Sequence, residues 1–326
     1  MTNGQPNSAI SSLWKRIDIT RRPYLPAIAV SLLLFALNGF LQPKTLRPVA
    51  IFADISTYLP LILLAVGQTY VVLTSDIDLS VGSSISLVNV VTVSVMAGLG
   101  GGNGAIWAGI LVGLLVGVGC GAVNGFCVAV LRFQPIVATF ASGIVFAGLA
   151  LWILPQAGLA APDAYWETYG EYLAGIPFVI WILAVLALIV VWVARLVFLR
   201  SLLAVGGNMQ SAYQSGLPVP RLRIGAYMIC GLFAAISALC LTGDTASGDP
   251  LLGAKMTLGS VAAVVLGGTA LSGGRGSPVG SIFGAVILGL IGSVVFFAGV
   301  PFEYQNLVQG LIVLAALAGG VTVARR

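Results

Sequence analysis

The sequence predicts an all-α polytopic membrane bundle of about ten spans, and three observations carry that prediction. Hydrophobic residues fill 59% of the 326 positions and charged residues 8%, too little polar surface to keep a compact particle in water. Apolar runs such as 106–131 and 176–196 continue without two-residue alternation. That favours helices over a membrane β-barrel, because a helix satisfies each backbone N–H and C=O within its own segment. The cations sit singly or in pairs at the ends of these runs, where they set topology rather than form a phosphate-binding stripe.

A span needs about 20 residues to cross the hydrocarbon. Read between proline, glycine and charge punctuation, the candidates run over about 24–41, 57–74, 80–98, 105–131, 136–154, 176–196, 222–241, 255–268, 279–299 and 303–322. The first follows Lys15, Arg16, Arg21 and Arg22 and lacks a small-residue cleavage pattern, so it reads as an uncleaved span rather than a signal peptide. The eighth is short. Residues 1–23 and 323–326 read as cytoplasmic tails around one transmembrane domain, 24–322.

Charge supplies an independent test, since basic residues in short loops prefer the cytoplasm. With the N-terminus inside and ten alternations, only Lys44, Arg47 and Lys255 of the 15 cations fall outside. Lys15, Arg16, Arg21, Arg22, Arg132, Arg195, Arg200, Arg221, Arg223, Arg275, Arg325 and Arg326 all fall inside. The loop at 155–175 is then periplasmic, acidic and aromatic, suited to the interfacial belt or to a soluble partner. The loop at 197–221 is cytoplasmic. Within it Asn208 can cap a short helix over 209–215, Gly216 can end it, and Pro218 and Pro220 stop its continuation. Such a helix is a plausible lever for a cytosolic protein.

Glycine is patterned. Gly109, Gly113, Gly117, Gly121 and Gly125 recur every four residues along one face of the fourth span, and Gly280 and Gly284 repeat the spacing in the ninth. Small residues so spaced let helix backbones approach closely. A polar cluster, Asp76, Asp78, Ser80, Gly82 and Ser83, reads as a helix start, with Asp78 and Ser80 as N-caps. The segment holding Gly267, Gly268, Ser272, Gly273, Gly274 and Arg275 lacks the GxxxxGK[ST] pattern, so it reads as a broken or re-entrant turn and not as a nucleotide loop. Asn89, Asn124, Thr139 and Ser142 inside spans read either as polar lining of a pathway or as helix-to-helix hydrogen bonds.

Several chemistries are excluded. Histidine is absent, so a Ser/His/Asp set is impossible. Cys120, Cys127, Cys230 and Cys240 lie inside predicted spans and form no metal knuckle or disulfide framework. The reading is therefore of no catalytic residue, no metal, no cofactor and no nucleic-acid partner. Embedded charge is scarce, which fits a small neutral polar solute moved by an external energy source better than an ion-coupled carrier.

Three motifs in order, Asp76-Ile-Asp-Leu-Ser-Val-Gly-Ser83, Gly206-Gly-Asn-Met-Gln-Ser-Ala-Tyr-Gln-Ser-Gly-Leu217 and Gly267-Gly-Thr-Ala-Leu-Ser-Gly-Gly-Arg-Gly-Ser277, resemble the bacterial ABC sugar-import permeases of the ribose/xylose/arabinose/galactose class. The resemblance covers about residues 50–320 and implies a type II importer in the inner membrane. It further implies a second permease subunit, identical or related, cytosolic ATPases often fused in one chain, and a periplasmic sugar-binding protein. In that class the ATPase contact corresponds to Gly206, Gly207, Asn208, Ala212, Tyr213, Ser215 and Gly216. The chain departs from the usual pattern where Tyr213 stands at an expected arginine, Ser211 at an alanine, and Thr74-Ser75 at a glycine pair.

Overall fold

A computed structural model describes residues 24–324. The expected tail 1–23 with Lys15, Arg16, Arg21 and Arg22 lies outside the described residues, as do Arg325 and Arg326. The helices are α1 (Leu25–Leu41), α2 (Pro48–Leu73), α3 (Val81–Gly98), α4 (Asn103–Ala129), α5 (Pro135–Ile153), α6 (Asp163–Gly170), α7 (Phe178–Arg195), α8 (Val197–Gly207), α9 (Met209–Gln214), α10 (Val219–Thr245), α11 (Met256–Leu266), α12 (Pro278–Phe297) and α13 (Phe302–Ala324). Four two-residue strands make two small pairs, β1 (Leu159–Ala160) with β4 (Ser247–Gly248) and β2 (Tyr172–Leu173) with β3 (Ile176–Pro177). The protein is thus an all-α, multi-span membrane bundle. Seven of the described helices, α2, α3, α4, α5, α7, α10 and α12, are long and apolar enough to cross a membrane.

Proline sets many of the starts. It occupies the first turn of α1, α2, α5, α10 and α12, where its missing N–H costs nothing. The second expected span begins nine residues early, at Pro48, and carries Pro60 inside the helix. A neighbouring helix helps there, as Ser237 Oγ donates to the Pro60 carbonyl at 2.7 Å. The first, eighth and tenth expected spans are not among the seven long apolar helices, and the eighth departs furthest in length. α11 has only 11 residues, a rise of about 16 Å, roughly half of the hydrocarbon thickness. It stops at Gly267, and Gly268 follows at φ +86°. The two long loops are also more ordered than expected: 155–175 holds α6, and 197–221 holds α8 as well as the expected short helix α9.

The centre of the bundle is α2 and α10. α2 is buried almost throughout from Leu59 to Leu73, and α10 packs against α2, α3 and α4. One apolar core joins α2 and α10 to α7, α11 and α12, and a second joins them to α3 and α4. The glycine face of α4 is divided between two partners. At Gly109 and Gly113 an added Cβ would meet Met96 and Thr92 of α3; at Gly117, Gly121 and Gly125 it would meet Ala235, the Tyr227 carbonyl and Ile224 of α10. Gly280 and Gly284 of α12 lie in the same way against Gly267 and Ala263 of α11.

Overpacking a close helix seam costs about 1–3 kcal/mol. A Cβ at Gly117 would sit 2.6 Å from the Gly231 carbonyl, whereas nothing lies within 4 Å of Gly119 on the opposite face. Gly117→Leu should therefore lower the melting temperature and the yield of monodisperse protein in size-exclusion chromatography. Gly119→Leu should leave both unchanged.

Candidate functional site

The break between α2 and α3 gathers the three sequence motifs at one end of the bundle. α2 ends at Leu73; Thr74 folds its hydroxyl back onto the Val71 carbonyl at 2.8 Å, and Ser75 turns the chain at φ +69°. From that position Ser75 Oγ reaches two acceptors, the Ser272 carbonyl at 2.8 Å and the Gly206 carbonyl at 3.1 Å. The Gly274 N–H donates to the Leu73 carbonyl at 3.1 Å. Gly273 and Gly274 both take positive φ, +77° and +70°, which only glycine adopts without strain. A Cβ at Gly206 would collide with the Leu73 carbonyl, and one at Gly273 with Ser75. Glycine is required here because three backbones meet with no space between them.

The rest of the break is held by side chains. Asp76, 3% exposed, receives a bidentate pair from Arg223 at the start of α10, Nε to Oδ2 at 2.9 Å and an η nitrogen to Oδ1 at 2.8 Å. Asp78 is 2% exposed and pairs with no cation among the described residues. Its Oδ1 accepts from the Ser80 N–H at 2.8 Å and the Ser80 hydroxyl at 2.7 Å, and Asn124 of α4 donates toward both oxygens at 3.4 Å. Ser142 of α5 donates to Asn124 Oδ1, and Thr139 Oγ1 accepts the Leu79 N–H at 3.0 Å. Gln68 of α2 donates to the Asp78 carbonyl at 3.2 Å.

One expectation changes. Ser80 stands at the N-cap of α3 but makes no capping bond to that helix; its hydroxyl is spent on Asp78, which instead closes a short loop on the Ser80 N–H. Gly82, expected in the same helix start, packs against the Gly253 carbonyl and Thr257. Asn89, Asn124 and Thr139 are 0%, 1% and 0% exposed, so in this conformation they join helices and do not face an open passage. Asn89 does so at the opposite end. Its Nδ2 donates to Thr242 Oγ1 at 2.7 Å and the Ser247 carbonyl at 3.1 Å, and its Oδ1 accepts the Asp249 N–H at 2.7 Å. That end also carries the β1–β4 pair.

Next to the junction, α8 leads through Gly206 and Gly207 into α9. Asn208 Oδ1 accepts the Ser211 N–H at 2.9 Å, and Gly216 ends the helix at φ +83°. Ala212 anchors it in a small apolar cluster with Val205 and Val219. Tyr213 is 71% exposed, and Met209, Gln210 and Gln214 are exposed beside it. Ser215 only returns its hydroxyl to the Ser211 carbonyl. Arg275 is exposed, while its carbonyl accepts the Ala270 N–H within the glycine-rich turn. Sequence reasoning missed Arg223, Ser75 and Gln68. In the sequence Arg223 reads only as a topology cation, because Asp76 lies 147 residues upstream of it.

Comparison with known proteins places this arrangement. Residues 50–317 match a family model described as a branched-chain amino acid transport system permease component. The chain is 34% identical over 306 residues to the ribose import permease protein RbsC of Bacillus subtilis (strain 168), covering 90% of both chains. It is 33% identical over 262 residues to the RbsC of Escherichia coli (strain K12), covering 78% of this chain and 80% of that one. It is 31% identical over 295 residues to the autoinducer 2 import system permease protein LsrC of Escherichia coli O157:H7, covering 90% and 85%. No solved structure matches at the same stringency. With its glycine-rich junction, capped α9 and multi-span bundle, the chain belongs to this family of importer permeases.

Proposed function

We propose that this chain lines the translocation pathway of an ATP-driven, binding-protein-dependent importer for a monosaccharide, and that separate cytosolic ATPases drive it. The carrying observation is the junction at Leu73–Ser75. It ties the exposed helix α9, through Gly206, to the break that organises α2, α3 and α10. A push on α9 reaches the helix core by a path of backbone contacts, which is the coupling such an importer needs. In this reading Asn208, Tyr213 and Gly216 belong to the ATPase contact, and Asp76, Asp78 and Ser80 are the framework behind it.

The solute class is taken from the ribose-permease relatives, and the composition of the interior agrees with it. Among the described residues the buried polar groups are hydroxyls, amides and two aspartates, with no buried Lys or Arg. A free amino acid carries two charges and would need buried charges of both signs to meet it. A sugar asks only for hydroxyl and amide partners, and the ribose-permease relatives point the same way. A furanose-like signal molecule is the second reading, supported by the autoinducer 2 relative. Ten spans with both ends in the cytosol complete the topology, with the binding protein at the β1–β4 end and a second permease, identical or related, completing the pathway.

Three measurements test this. In the complex reconstituted with its ATPase and binding protein, Asn208→Ala should cut sugar-stimulated ATP hydrolysis about fivefold, the effect of losing a helix cap worth about 1 kcal/mol. Undiminished coupled transport in both Asn208→Ala and Gly216→Leu would remove the coupling role. An impermeant maleimide should label Tyr213→Cys only after the inner membrane is opened, and Leu173→Cys in intact spheroplasts; the reverse pattern would invert the topology. Finally, Arg223→Met strands a buried carboxylate and should destabilise the chain by about 3–5 kcal/mol. Asp76→Asn combined with Arg223→Met should recover most of that loss in thermal unfolding.

A further inference from the structure

We propose that the β1–β4 end of the bundle holds a site for one membrane phospholipid whose headgroup carries an ammonium. A cavity of about 450 Å³ lies there, lined by Ile106, Trp107 and Ile110 of α4, Ile182 of α7 and Ile236 of α10, and roofed by Tyr169 of α6. No charged side chain lines it, and the volume falls in the range of ordinary small-molecule sites. A polyhydroxy solute would find too few partners on these walls; an acyl chain needs none. Trp107 is 71% exposed, so the cavity opens onto the surface of the bundle beside a residue type that favours the membrane interface.

One further observation specifies the ligand. A smaller recess of about 90 Å³ adjoins the cavity, sharing Thr168 and Phe178 with it, and Glu171 is on its wall. The compartment is therefore apolar in its body and anionic at its outer end. Asp163 and Glu167, both exposed on α6, extend the negative sign around the mouth. No Lys or Arg lines either space, so an anionic headgroup is repelled and an ammonium is favoured.

Native mass spectrometry of the full chain, purified with equimolar phosphatidylethanolamine and phosphatidylglycerol, tests this. One phosphatidylethanolamine per protomer should be retained, about fivefold over phosphatidylglycerol, the preference that one partly exposed charge contact provides. Ile110→Trp fills the cavity and should abolish retention, while Glu171→Lys should keep the lipid but reverse the headgroup preference. Should Ile110→Trp fail to yield monodisperse protein, Glu171→Lys decides the matter. No retained lipid, equal retention of the two lipids by the wild type, an unchanged preference in Glu171→Lys, or a second copy of the chain in place of lipid would each overturn the proposal.

Discussion

A backbone that stops being helical inside a bilayer leaves N–H and C=O groups without partners, and each costs several kcal/mol unless other protein supplies them. The chain accepts such a break between Leu73 and Val81, and much of the surrounding structure answers that cost. Leu73 gives its carbonyl to Gly274, Leu79 gives its N–H to Thr139, and the Asp78 carbonyl is met by Gln68. The carboxylates of the break are met by Arg223, Ser80 and Asn124. Four helices and a glycine-rich turn are thereby fastened to one seven-residue loop. Polar side chains inside the spans read as equipment for the break before they read as equipment for the solute.

The glycine pattern follows from the same demand. Backbone donors and acceptors can serve the break only if their helices come within van der Waals distance of it, and a Cβ would hold them off. Gly206 and Gly273 meet Leu73 and Ser75 in that way, and the α4 stripe brings α10 close enough for the core around Asp78 to close. In lipid, where hydrocarbon tails compete equally for apolar side chains, this close packing substitutes for the hydrophobic drive of a soluble core.

How much of this could be read in advance depended on whether the signal was local. Apolar length revealed the seven long helices, because the bilayer acts on each segment separately. The capped α9 was legible because Asn208, Gly216 and the prolines lie within a dozen residues. The Ser80 reading failed because a serine before a helix is an ordinary cap, whereas here its hydroxyl donates to Asp78 and accepts from Asn124, 44 residues away. Arg223 escaped notice likewise, because its partner lies 147 residues upstream. α11 was read as short, but its end at Gly267 is fixed by the close approach of Gly280, a fact of tertiary contact.

The junction also bears on how force would travel. α9 is held by Ala212 and its cap, not by a large interface, so it can move with a partner as a small rigid unit. Gly206, by contrast, is clamped between Leu73 and Gly274. A displacement entering at α9 therefore meets its first stiff contact at the buried end of α2, and at the paired Asp76 and Arg223 just beyond. Because α10 begins at that ion pair and runs to the opposite end, where Thr242 and Ser247 are tied to Asn89, one helix links the two faces. A small tilt of α10 about its glycine seam with α4 would change both ends together, and alternating access asks for that behaviour.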